Sequence, residues 1–181
     1  MPTITRKNKN MPYYLTAVVI VILLKFAFMA AGNKDLVLLL VPTDKLAGWL
    51  MGSKSVFLQE RGFYHETLNV IIGRACAGIN FLILSFLCFS YLTINFFEKP
   101  LHKCLAIPAS FAGAYLLTIF VNTSRIFVSV AVQNQAENIF PQYKNFIHSA
   151  VGTITNLSFL ILAYYLTEKF LENRRRYAKS I

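Results

Sequence analysis

Charged side chains are scarce in this 181-residue chain, at 14% of its residues, whereas soluble domains carry about a quarter. Hydrophobic residues make up 56% of the chain, and its mean hydropathy is +0.51. So low a charged fraction excludes an ordinary soluble domain and indicates that lipid is the main solvent. The composition therefore predicts an integral membrane protein.

Cysteine, glycine and proline are also few. The three cysteines, Cys76, Cys88 and Cys104, form no CxxC pair, so neither a zinc site nor a disulfide framework is indicated. The 8 glycines and 6 prolines mark no linker, repeat or low-complexity boundary. We therefore interpret residues 1–181 as a single membrane-embedded domain with basic tails at 1–12 and 168–181, and we expect no metal and no cofactor.

The formal net charge of +10 raises the question of nucleic-acid binding. The basic residues, however, form short clusters at the ends of apolar runs, such as Arg6, Lys7 and Lys9 near the N-terminus. Such clusters orient membrane spans and contact anionic headgroups. A basic groove with interleaved aromatic residues is absent from the sequence, which excludes a nucleic-acid partner.

Four apolar segments are long enough to cross a bilayer, which takes about 20 residues. They cover residues 13–31, 77–97, 104–121 and 149–166, and an apolar run at 126–132 suggests that the third continues as a broken helix. The first segment is too long for a signal peptide and has no cleavage site after it, so we expect it to be retained. The predicted fold class is an all-α integral membrane protein, a polytopic helical bundle of about four firm transmembrane helices plus an interfacial or re-entrant segment.

That additional segment lies between the first two spans. Residues 36–41 form an apolar run that ends at Pro42, and residues 46–51 form a second run around Trp49. Each run is too short to cross a bilayer, so we expect an interfacial or re-entrant pair with Trp49 at the level of the headgroups. Residues 56–58 and 62–72 weakly indicate extended or hairpin-like structure.

The distribution of lysine and arginine predicts that both termini are cytoplasmic. With that orientation ten basic residues lie on the cytoplasmic side and seven on the other, and the ten crowd the ends of the spans. The cytoplasmic ten are Arg6, Lys7, Lys9, Lys99, Lys103, Lys169, Arg174, Arg175, Arg176 and Lys179. The outer seven are Lys34, Lys45, Lys54, Arg61, Arg74, Arg125 and Lys144.

This topology brings three chemically active residues from three different helices to one membrane depth. Cys76 precedes the second span, Arg125 follows the third by one helical turn, and His148 opens the fourth. A thiol becomes a strong nucleophile when an imidazole or a cation favours its thiolate. Cys76 and His148 would supply a nucleophile and its base, and Arg125 would stabilise the thiolate or an oxyanion.

Each of these residues also has a plain structural interpretation. A lone cysteine at a helix end is usually tolerated, an arginine after an apolar run is usually a snorkelling anchor, and a histidine at a span start is usually interfacial. His65 lies on the same side and competes with His148 for the base role. Further residues are interpreted as structural or as too distant: Cys88, Cys104, His102 and a snorkelling Lys25.

Around these residues the sequence resembles the exosortase/archaeosortase family of prokaryotic membrane cysteine transpeptidases. The resemblance rests on Ala-Cys-Ala-Gly-Ile-Asn-Phe at 75–81, Asn-Thr-Ser-Arg-Ile at 122–126, and a histidine at 148 followed by a glycine at 152. It extends over about residues 36–166 and is closest to the compact single-domain exosortases of the exosortase K type. Ala77 replaces the family's serine after the cysteine, and the chain is shorter than the larger members.

The resemblance implies a membrane cysteine protease or transpeptidase of the bacterial inner membrane, with its active site facing outward. Cys76 would be the nucleophile, His148 the general acid/base and Arg125 the stabilising cation. Arg74, Gly78, Asn80 and Asn122 would bind substrate. The substrates would be exported proteins that end in a sorting motif, a transmembrane helix and a basic tail.

Two other interpretations stay open from the sequence. The chain would otherwise be a non-catalytic assembly subunit of envelope polysaccharide export or a small transporter, although a transporter is expected to place polar residues at mid-membrane helix breaks. An intramembrane hydrolase would use the same residues with water as the acceptor.

Overall fold

The computed structural model describes residues 3–139 and 144–179, with side chains described for residues 9–132, 150 and 152–177. Two helices come first in this part of the chain, followed by a small sheet and three further helices. The elements are α1 (Thr3–Ala30), α2 (Val37–Met51), β1 (Ser55–Leu58), β2 (Gly62–His65), β3 (Val70–Ile72), α3 (Ile79–Phe96), α4 (Pro100–Ile139) and α5 (Lys144–Lys179). The predicted helical architecture is present, but the all-α class omits the sheet.

In the described part of the chain, three helical stretches are long and apolar enough to cross a membrane: Lys9–Ala30, Arg74–Phe96 and Pro100–Val132. The first two match predicted spans to within a few residues, and the third covers the predicted span 104–121 together with its predicted continuation at 126–132. The third is not broken, because α4 continues without interruption to Ile139. In its polar stretch the hydroxyls of Thr123 and Ser124 donate to the carbonyls four residues earlier, at 2.8 and 2.9 Å, so both hydroxyls have a partner within the helix. The predicted fourth span falls within α5 and stays a prediction.

The chain divides into two compact units, each assembled from separated segments. The first combines Met1–Met29, Asn80–Leu117 and Leu160–Ile181, and the second combines Ala30–Ile79 and Thr118–Phe159. In the first unit, polar contacts join α1 to the facing ends of α3 and α4. Lys103 is buried and donates to Asn10, while Tyr14 donates to Asn95 at 2.9 Å.

In the second unit, residues 37–51 form one continuous helix, α2, rather than the predicted pair of short segments. Pro42 lies inside it and removes one backbone donor. The helix continues past the proline with its inward-facing residues buried, and the Thr43 hydroxyl donates to the carbonyl of Leu39 at 2.7 Å. It ends at Gly52, whose φ of 61° lies in the left-handed region.

A three-stranded antiparallel meander follows α2, in the order β1-β2-β3. Ser55 pairs with His65 in the first ladder, and His65 with Val70 in the second. This sheet confirms the extended structure predicted for the region.

A buried hydrogen-bond network joins the sheet to α2. The fully buried ring of His65 donates from Nε2 to Asp44 Oδ1 at 2.9 Å, and its Nδ1 lies 3.1 Å from Ser53 Oγ. The Ser55 hydroxyl donates to the other Asp44 oxygen at 2.9 Å. Because buried polar groups are costly when unpaired, this network holds β2 against the helix.

We expect Asp44→Ala to destabilise the protein, because it leaves the His65 ring and the Ser55 hydroxyl without their acceptor. Loss of a buried partner costs about 1–3 kcal/mol, so the midpoint of thermal unfolding in detergent is expected to fall. Glu66→Ala, which removes an exposed carboxylate beside the same sheet, is the matched control and is expected to leave the midpoint unchanged. Equal midpoints for the two variants would contradict a stabilising role for the network.

Candidate active site

Cys76 lies in a tight turn between the sheet and α3. A single 3₁₀ turn, Arg74–Cys76, follows β3 and Gly73, and the Cys76 amide donates to the Gly73 carbonyl at 2.7 Å. Asn33 ties this turn to the hairpin: its Oδ1 accepts from the Arg74 amide at 2.9 Å and its Nδ2 donates to the Glu60 carbonyl at 2.8 Å. The thiol is free and partly exposed.

Gly78, two residues after the thiol, allows α4 to approach this turn. Its φ is 67°, a conformation that favours glycine, and a Cβ built there would lie 2.6 Å from Asn122 Oδ1. No side chain fits in that space, so the carboxamide of Asn122 lies directly against the Gly78 backbone. The contact brings α4 next to the chain segment that carries Cys76.

The Asn122 carboxamide is completely buried, and neither its Nδ2 nor its Oδ1 has a hydrogen-bond partner among the residues that the structure describes. Unpaired buried amides are uncommon in proteins. Both amide atoms lie beside the Cys76 turn without any exposed surface.

Arg125 follows Asn122 by one turn of α4, so the two residues share a face of that helix. A Cβ at Gly152 of α5 would lie 3.3 Å from Arg125 Cδ, which shows that the arginine stem packs on that glycine. The guanidinium is partly exposed, and neither a hydrogen bond nor an ion pair joins it to any residue in the described part of the chain. The charge is thus available to a ligand.

His148 lies in α5, four residues before Gly152, and its side chain lies outside the described residues. The structure therefore brings together the Cys76 turn, Gly78, Asn122, Arg125 and Gly152 of α5, all within the second compact unit. The pairing of Cys76 as nucleophile with His148 as its base stays a prediction.

The remaining predicted substrate-binding residues differ in their surroundings. Arg74 is exposed, and its backbone is held by Asn33. Asn80 belongs to the other compact unit, where its Oδ1 accepts a hydrogen bond from Lys25 Nζ at 3.0 Å. Lys25, interpreted from the sequence as a snorkelling residue, therefore has a polar partner on α3.

His65, the competitor for the base role, has a structural position. Its ring has no exposed surface, and both ring nitrogens are occupied by Asp44 and Ser53. A general base must reach the proton that it removes, directly or through one water. In this structure the ring of His65 has no free nitrogen to do so.

The network around Asp44 and the bridge at Asn33 were both missed from the sequence. An aspartate in the middle of an apolar run was a signal of a buried partner, since an unpaired charge there is expensive. Asn33 offered no comparable signal, because a short polar loop residue is common at the end of a span.

Among the described residues no group of histidine, cysteine, aspartate and glutamate side chains is arranged to hold a metal ion. Comparison of the chain with protein-family models, curated proteins and solved structures yields no match.

Gly78→Ala is expected to disturb the site strongly, because it combines a left-handed backbone with a clash against Asn122. Gly52→Ala is the matched control: its φ of 61° is similar, but nothing lies within 4 Å of the added carbon. The control is expected to cost about 1–2 kcal/mol for the backbone conformation alone. Gly78→Ala is expected to cost about 1–3 kcal/mol more through overpacking.

Thermal unfolding in detergent measures both effects, and the double variant Gly78→Ala/Asn122→Ala is expected to recover part of the difference. Equal losses for Gly78→Ala and Gly52→Ala would show that Asn122 does not occupy the space beside Gly78.

Proposed function

We propose that the chain is an exosortase-like cysteine transpeptidase of a bacterial inner membrane, which cleaves a C-terminal sorting signal from exported proteins. The observation that carries this proposal is the pair of glycine contacts. Asn122 lies on Gly78 beside the thiol, and Arg125, one turn further along α4, lies on Gly152 of the helix that contains His148. Two glycines thus allow the segments with the three candidate residues to approach one another.

The lengths of the helices agree with an outward-facing site. From Ile79 to Phe96, α3 is 18 residues long, which is about 27 Å at 1.5 Å per residue. From Lys103 to Arg125 the axial distance along α4 is about 33 Å. Both lengths are close to the thickness of the bilayer core, about 30 Å. With the short connection between α3 and α4 on the cytoplasmic side, Cys76 and Arg125 would reach the outer surface together.

The residues would act in sequence on the scissile peptide. His148 would accept the proton of the Cys76 thiol, and the thiolate would attack the carbonyl carbon. The oxyanion that forms would be stabilised by the Arg125 guanidinium. The C–N bond would then break, and His148 would give its proton to the departing amine. The thioester on Cys76 would be attacked by an acceptor nucleophile or by water, which releases the product and returns the thiol.

The substrate class follows from the resemblance and from the expected depth of the site. A substrate with a sorting motif, a transmembrane helix and a basic cytoplasmic tail would present the junction between motif and helix at the outer surface. Both termini of the enzyme would then be cytoplasmic, in agreement with the distribution of lysine and arginine.

Cys76→Ala, co-expressed with a candidate substrate, is expected to accumulate uncleaved precursor, because no other thiol would replace the nucleophile. Cys88→Ala and Cys104→Ala are matched controls that remove the other two cysteines and are expected to process normally. Arg125→Ala and His148→Ala are expected to reduce processing by about a hundredfold or more. Immunoblotting of precursor and product measures each outcome.

The enzyme proposal would be wrong if all three variants, Cys76→Ala, Arg125→Ala and His148→Ala, processed the substrate normally. That result would favour a non-catalytic assembly subunit.

Addition of hydroxylamine helps to separate transpeptidation from hydrolysis. A thioester on Cys76 would be released as a hydroxamate of the cleaved protein. Mass spectrometry of the product without hydroxylamine would show whether water or another acceptor receives the chain.

A further inference from the structure

The helix α2 carries large apolar residues on its outward face as well as on its inward face. Its buried residues are Leu39, Leu40, Thr43, Asp44 and Ala47. Its exposed residues are mainly large and apolar: Leu38 is 77% exposed and Trp49 is 79% exposed. A helix on a water-soluble protein normally turns a polar face to the solvent, so the outward face of α2 is that of a helix in apolar surroundings.

The exposed face has the composition of a membrane interface. Leu38, Pro42, Lys45 and Trp49 follow one another at spacings of four, three and four residues, so they form a single stripe along the helix. Indole rings lie preferentially at the headgroup level, and a lysine beside them extends its ammonium group to the headgroups. Lys45 and Trp49 are therefore placed as an interfacial pair.

The helix α2 is too short to cross the bilayer. Its 15 residues extend over about 22 Å, which is shorter than the hydrocarbon core of about 30 Å. Residues 31–36, which separate it from the membrane-length helix α1, span at most about 21 Å. The start of α2 is thus tethered close to one end of a helix long enough to cross the membrane.

The neighbouring strand β1 has the same preference. It is one of the two edge strands of the sheet, and its three apolar side chains are all at least 38% exposed. In water, an exposed apolar edge strand promotes aggregation. A lipid surface would cover both β1 and the exposed stripe of α2.

We propose that α2 lies in the plane of the membrane, at the boundary between headgroups and acyl chains, with the stripe of Leu38 and Trp49 in lipid and Asp44 facing the sheet. The occupant of this face is the bilayer itself, with anionic headgroups near Lys45. The inference rests on the membrane embedding in the proposed function and not on its chemistry.

One consequence connects this surface to the candidate site. Asp44 holds His65 on β2, β2 pairs with β3, and β3 leads through Gly73 into the Cys76 turn. A helix fixed at the lipid surface would therefore fix the height of the thiol relative to the bilayer.

Trp49 is the single tryptophan of the chain, so its fluorescence reports this depth directly. The full chain would be reconstituted into phosphatidylcholine vesicles with added phosphatidylglycerol. Some vesicles would contain lipid brominated near the glycerol end of the acyl chains, and others lipid brominated near the terminal methyl groups. We expect the shallow bromines to remove most of the tryptophan emission and the deep bromines to remove far less.

Three variants make the result interpretable. Trp49→Phe measures the background from the nine tyrosines. Val19→Trp in the Trp49→Phe background places a tryptophan near the middle of the first membrane-length stretch, on an exposed position, and is expected to show the opposite order of quenching. Cys76→Ala is expected to leave the Trp49 signal unchanged, which separates this test from the test of catalysis.

Three outcomes would overturn the proposal. Stronger quenching by deep bromines would mean that α2 inserts as a re-entrant segment. Absence of quenching by either lipid, with Val19→Trp quenched normally, would mean that the face contacts water or protein. If Trp49 is protected from the bromines at a high ratio of protein to lipid and becomes quenched at a low ratio, a second copy of the chain covers the face.

Discussion

The contact between Asn122 and the backbone of Gly78 is the interaction on which the candidate site depends. Because residue 78 has neither a Cβ nor an ordinary backbone conformation, a carboxamide from α4 occupies the space that a side chain would need. One turn later the stem of Arg125 packs on a second glycine, Gly152. Because these two glycines have no side chain, three chain segments can lie close together. The guanidinium of Arg125, the thiol of Cys76 and the amide of Asn122 therefore belong to one compact unit.

The second constraint is that polar groups must find partners within the protein when the surroundings are apolar. Hydroxyls of Thr43, Ser85 and Thr93 donate to carbonyls of the preceding helical turn, at 2.7–2.8 Å. The Asp44 carboxylate is used twice, by a histidine and by a serine. Four described residues depart from this pattern with unpaired buried atoms, namely Ser90, Asn122, Ser129 and Asn156, and in Asn122 both amide atoms are unpaired.

Much of the helical architecture is predictable because a membrane-length helix can be recognised from the length and the apolar composition of its segment alone. The three membrane-length helices lie close to their predicted positions, and the weak extended signal at residues 56–72 proved to be a sheet. The prediction is wrong at Pro42, where a local rule ends the segment: α2 continues through the proline and buries residues on both sides of it. The partners Asp44 and His65 are 21 residues apart with no periodic relation, so no sequence pattern pairs them.

The ordered motifs indicated Gly78, Asn122 and Arg125, whereas the contact that joins Gly78 to Asn122 depends on three-dimensional packing.

The sheet before the Cys76 turn is made entirely from neighbours in the sequence. Ser55 pairs with His65 and His65 with Val70, and the helix that supports them ends only a few residues earlier. Contacts between such close neighbours form quickly, before distant segments meet. A growing polypeptide can therefore shape the turn around Cys76 while α4 and α5 are still being synthesised. The guanidinium of Arg125 lies later in the sequence than the thiol, so it can join the site only after α4 has been synthesised.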